Sequence, residues 1–113
     1  MNALKPLEIT LHELIVPGDL MGKEVIDSEA RRVGIIRGFK LKFPPLKVFI
    51  IVRGKNLETE IPIEAIEKVG QTVVNLKRHI ELEEIDAEDV LFLLRELKRE
   101  LLTEMKMGLA MEL

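Results

Sequence analysis

Apolar and polar residues alternate with a strand-like period through the first two thirds of the chain and switch to a helical period near residue 86. In residues 33–43, Phe39, Leu41 and Phe43 share one face while Lys40 and Lys42 share the other. This is the period of two expected of a strand with one side buried. Pro44-Pro45 interrupts the pairing, because proline has no backbone donor, and turns the chain into a second strand over residues 47–53. There Val48, Ile50 and Val52 point one way, and Phe49 and Ile51 the other. Both faces are apolar, so each needs a cover: a barrel interior for one, and the chain's own tail or another subunit for the other. Shorter strands are predicted at 22–27, 59–62 and 71–76, with polar turns at 27–31 and 54–57. Ile63, Ile66 and Val69 recur at spacing three, which predicts one helical turn closed by Gly70.

The tail reads differently. Asp86 caps a helix starting at Ala87, with Glu88 and Asp89 in the first turn where the dipole favours them. Val90, Leu94, Leu97, Leu101 and Met105 form its apolar face, broadened by Leu91, Leu93 and Leu102. Run to Leu113, the helix would be roughly 40 Å long at 1.5 Å per residue. A body of this size has a width near 25 Å, too little to cover it. Gly108 is a place where the helix could end early. Three segments result: residues 1–19, packed on the β body; 20–78, the β body; and 79–113, a linker and amphipathic helix.

Charge sharpens this division. The net of −3 hides a body (21–78) with twelve basic and seven acidic groups and a tail (79–113) with four basic and ten acidic ones. Among 113 residues there is no Cys, one Ser (Ser28), and two His (His12 and His79). A thiolate metal site, a disulfide framework and a cysteine nucleophile are therefore excluded. Ser28 sits in a polar turn, and the two histidines lack ligand-like spacing. The glycines make no phosphate-binding loop. No catalytic residue, cofactor or metal is expected. Lys5, Glu8 and Glu13 break up any signal-like start, and no apolar run approaches the roughly 20 residues of a membrane span, so a cytoplasmic protein is expected. Low Gln and Asn with abundant Ile, Glu and Lys resembles thermophile composition.

From Leu20 to about Leu76 the chain resembles the PRC-barrel family. Leu20-Met21-Gly22-Lys23-Glu24-Val25-Ile26-Asp27-Ser28-Glu29 is similar to the family's opening of Gly, Lys, hydrophobics and an acidic turn. Val33-Gly34-Ile35 matches its hydrophobic-Gly-hydrophobic strand, and Ile61-Pro62, Val69-Gly70 and Val73-Val74-Asn75-Leu76 its close. Two departures stand out. Ala30 replaces a common glycine, which predicts a different turn, and the second strand is basic where acidic residues are frequent. The resemblance implies a small, mainly β barrel followed by a C-terminal helix, acting as a non-enzymatic docking module. Barrel plus helical tail is similar to archaeal PRC-barrel proteins of cell division, which implies an adaptor that pairs with itself, with a related PRC-barrel protein or with other division proteins, recruited by them to the division site.

The interface expected for such an adaptor comprises Phe49, Ile51, Val90, Leu94, Leu97, Leu101 and Met105, with Phe43 and Leu46 at an exposed hairpin tip. The competing reading folds the helix back over the body's own outer face. The alternative function is RNA or ribosome binding through Arg31, Arg32, Arg37, Lys40 and Lys42, joined by Lys47, Arg53 and Lys55. It ranks second because the three nearby phenylalanines are expected to face inward and the acidic tail would repel a polyanion. Met105, Met107 and Met111 make the chain's end either an adaptable docking segment or a frayed terminus.

Overall fold

Strand β3 (Arg32–Phe43) organises the sheet because it is twelve residues long and paired on both edges. In the computed structural model of the protein, the backbone is described for residues 7–11 and 20–112 and side chains for 20–103. Along one edge of β3 runs β4 (Lys47–Arg53), joined to it by the turn at Pro44-Pro45-Leu46. Along the other lie β2 (Glu24–Ile26) beside its first half and β1 (Leu7–Leu11) beside its second, both antiparallel. β5 (Glu58–Pro62) pairs with β4; β6 (Ile66–Val69) and β7 (Val73–Leu76) form a hairpin whose β7 runs parallel to β2. The order is β5-β4-β3-β2-β7-β6, with β1 beside β3 off this path.

This is a mainly β fold with one C-terminal helix, but the sheet is mixed and open: its end strands β5 and β6 are not paired with each other. Pro62 lacks a donor and leads directly into a single 3-10 turn, Ile63–Ala65, so β5 has no continuation to close a ladder. The helical turn expected through Gly70 is limited to those three residues. Ile66 already has extended backbone, and pairing with β7 draws residues 66–69 into a strand.

Two cores lie on opposite faces of β3. The inner one gathers Val25, Val33, Ile36, Phe39, Ile50, Val52, Ile61, Val74 and Leu76, all essentially inaccessible, with Ile80 and Leu82 from the segment after β7. The outer one packs α1 (Ala87–Glu112) on the sheet, uniting Ile35 with Ile85, Val90, Leu93 and Leu97. The start of β3 is therefore buried on both sides, which accounts for its unbroken Val33-Gly34-Ile35-Ile36 run. Gly34 is required there by close approach: a Cβ would lie 2.3 Å from the carbonyl oxygen of Arg53 on β4.

The helix starts where the sequence places it. The Asp89 amide donates to Asp86 Oδ1 (2.9 Å) and the Asp86 amide to Asp89 Oδ2 (3.1 Å), a reciprocal cap that satisfies two orphan donors. The helix passes through Gly108 and ends at Glu112. A radius of gyration of 15.3 Å, against ~13 Å for a compact chain of this length, reflects the long helix and the extended β3–β4 hairpin.

Candidate interaction surfaces

The outer face of β3, β4 and β5 carries most of the residues expected to bind a polyanion, and register sets their partners. Because Ile51 lies opposite Glu60 and Arg53 opposite Glu58, carboxylates on β5 face cations on β3 and β4. Glu58 is shared by Arg37 (2.6 Å) and Arg53 (3.1 Å), and Glu60 by Lys40 (2.6 Å) and Lys42 (2.9 Å). Partial burial opposes ionisation of Glu58, but hydrogen bonds from the two guanidinium groups outweigh it and hold its carboxyl below the usual range. Hydrogen bonds from the two lysines do the same for Glu60. Arg31 and Arg32 lie elsewhere, with Asp27 (2.9 Å) and Glu24 (3.5 Å). The five residues therefore make no open basic platform: each is matched by a carboxylate of the same chain.

The apolar residues expected at an interface divide by burial. Ile51 is buried beneath the ion-paired layer, with Arg37, Lys40, Glu58, Thr59 and Glu60 around the depression above it. Phe49 is half-buried, with Lys42 Nζ 4.7 Å from its ring centre. Val90 and Leu97 are not free surface: they are 3% and 5% exposed, spent on docking α1 against Ile35. Leu94 and Leu101 are half-buried at the margin of the same contact. The Arg53 guanidinium reaches across to Glu100 (2.8 Å) and reinforces this docking. Met105 lies outside the described side chains, as do Met107, Met111 and His12. At the hairpin tip Phe43 is half-buried and Leu46 is 60% exposed.

Three exposed apolar residues of α1 were not among the expected interface positions. Leu91, Phe92 and Leu102 are 55%, 59% and 48% exposed; Phe92 borders a depression shared with residues 53–58 at the β4–β5 turn. For Leu91 and Leu102 the signal was present in the width of the helical stripe; Phe92 lay outside it. Which part of that stripe the sheet would use depended on where Ile35 and Ile85 lie in space.

A buried polar node was also missed. Asp27 is buried at the β2–β3 turn; its Oδ1 accepts from the amides of Glu29 (3.0 Å) and Arg31 (3.1 Å). Its Oδ2 accepts from Arg31 Nε (3.2 Å), Arg31 Nη2 (2.9 Å) and the Ile80 amide (3.4 Å). The same guanidinium donates to the carbonyls of Ile80 (2.8 Å) and Leu82 (3.1 Å). Burial works against ionisation of Asp27, but these donors prevail and hold its carboxyl below the ordinary value of 3.8. The node pins residues 78–85 to the body, so the segment between β7 and α1 is integral to the fold.

Asp27, Glu29 and His79 bring one ligand atom each within 4.8 Å of one another. Arg31 Nη2 stands 3.1 Å from His79 Nδ1 and 2.9 Å from Asp27 Oδ2, so a guanidinium already holds the position a cation would take between them. Ala30 adopts a left-handed backbone (φ +61°), because the Asp27 carboxylate and carbonyl hold the amides on either side and its own.

Among the described residues, no helix is long and apolar enough to cross a membrane. No known family model, curated protein or solved structure matches this chain.

Proposed function

We propose that the protein is a non-enzymatic interaction adaptor of PRC-barrel type, working in the cytoplasm and recruited by its partners to the division site, as the family resemblance implies. The observation that supports this reading is the apolar surface left after the chain's own packing is complete. Leu46 at the hairpin tip and Leu91, Phe92 and Leu102 on α1 remain about half exposed or more while the two cores are filled. Such side chains in a small charged protein are the usual anchors of a protein contact. RNA binding gains nothing from the outer sheet face, where cations and carboxylates are interleaved.

Affinity capture with the tagged full-length protein from its native cell, followed by mass spectrometry, tests the proposal. Division components or a related PRC-barrel protein should be retained, and Leu46→Asp or Leu102→Asp should release them. Recovery of ribosomal proteins or translation factors instead would overturn it.

A further inference from the structure

The outer flank of α1 has a definite charge order. At about 100° per residue, Glu88, Leu91, Arg95, Lys98 and Leu102 fall on one strip, with Phe92 and Arg99 along its edge. All seven are exposed, and the four charged groups form no ion pair among the described contacts. The acidic group lies at the N-terminal end, the basic groups toward the C-terminal end, and apolar side chains lie between and beyond. Reversed against a second copy, the strip brings its one acidic end to the basic end of the other.

We propose that this strip binds the same strip of a second copy of the chain, antiparallel, about a two-fold axis near residue 93. In that register Glu88 of each copy faces Lys98 of the other, and Arg99 lies beside the same acidic end. Leu91 packs on the aliphatic stem of Arg95, with Phe92 next to that guanidinium. Leu102 lies just beyond the start of the opposite helix, level with Glu84. A parallel arrangement would instead set Arg95 against Arg95 and Lys98 against Lys98, so charge selects the direction. The contact uses the flank left free by Val90, Leu93 and Leu97, so it forms without disturbing the core.

The helical overlap, Ala87 to Arg99 on each copy, is roughly 20 Å long, smaller than a standard stable interface. The dimer is accordingly dynamic and salt-sensitive. This inference rests on reading the protein as an interaction module and names one partner for α1.

Sedimentation equilibrium of the full-length protein from about 1 to about 500 μM tests it. Monomer and dimer should exchange with concentration, and higher salt should shift the balance to monomer. Lys98→Glu should weaken pairing about tenfold or more, and Glu88→Lys added to Lys98→Glu should restore it, circular dichroism being unchanged throughout. A monomer at every concentration, a dimer indifferent to Lys98→Glu, or failure of the double charge reversal to rescue would each overturn the proposal. A monomer that still captures division proteins through Leu46 or Leu102 refutes self-pairing alone. A dimer that captures nothing refutes the adaptor reading alone.

Discussion

Asp27→Asn changes one oxygen for one NH2 group at the point where the β2–β3 turn, Arg31 and residues 78–85 meet. The carboxylate receives five hydrogen bonds from four groups: the Glu29, Arg31 and Ile80 amides and the Arg31 guanidinium. An asparagine oriented to keep the Oδ1 bonds turns its NH2 toward Arg31 and Ile80, so donors meet donors and the guanidinium loses its counter-charge. Breaking a buried pair costs about 3–5 kcal/mol. The Arg31 side chain is 24% exposed and retains bonds to two carbonyls, which places the expected loss near the lower end, about 3 kcal/mol. Urea unfolding at pH 7 should show that loss, and hydrogen exchange should show the Ile80 amide less protected. The difference must also depend on pH with a definite sign. Because the folded Asp27 carboxyl titrates below 3.8, its stabilisation is complete above that value and is lost as pH falls through the lower folded pKa. Wild type and variant should therefore converge in acid. A loss under about 1 kcal/mol at pH 7, or a gap unchanged at pH 2.5, would refute the account of the node.

Ala30→Gly should raise stability by up to about 1 kcal/mol, read as a higher urea midpoint, because glycine adopts the left-handed conformation of residue 30 at no steric cost. Gly34→Ala should do the opposite: a Cβ 2.3 Å from the Arg53 carbonyl oxygen forces β3 and β4 apart by about 1 Å, costing roughly 3 kcal/mol or more. Its thermal midpoint should fall by more than 10 °C on the scale of about 4–8 °C per kcal/mol. Leu97→Ala should cost about 2–5 kcal/mol in a single transition if α1 belongs to the body. An early, separate loss of helical signal would show that it does not.

Much of the fold was legible because short-range rules decide it. The alternation in β3, the turn at Pro44-Pro45 and the cap at Asp86 each reflect contacts or conformational limits within a few residues. The buried node was not legible. Asp27 and His79 are 52 positions apart, and a run such as Asp27-Ser28-Glu29 normally denotes an exposed turn. Nothing local distinguishes a carboxylate that will face Ile80. The split of the helical stripe between docked and exposed residues was not legible for the same reason. Val90, Leu97 and Leu91 are equivalent in a helical stripe wider than one contact requires, and only the position of Ile35 separates those that dock from those that remain outside.

Charge shows the same division of labour. The amino-acid sequence alone determined a basic body, an acidic tail and a strand with cations at alternating positions. It did not determine that Glu58 and Glu60 on the neighbouring strand would meet those cations, because strand register follows from the packing of inner-face residues such as Phe39, Ile50 and Ile61. Local periodicity sets which side chains share a face, since it depends only on backbone geometry. Which faces meet, and which charges are thereby paired, depends on long-range burial and was decided by the tertiary structure.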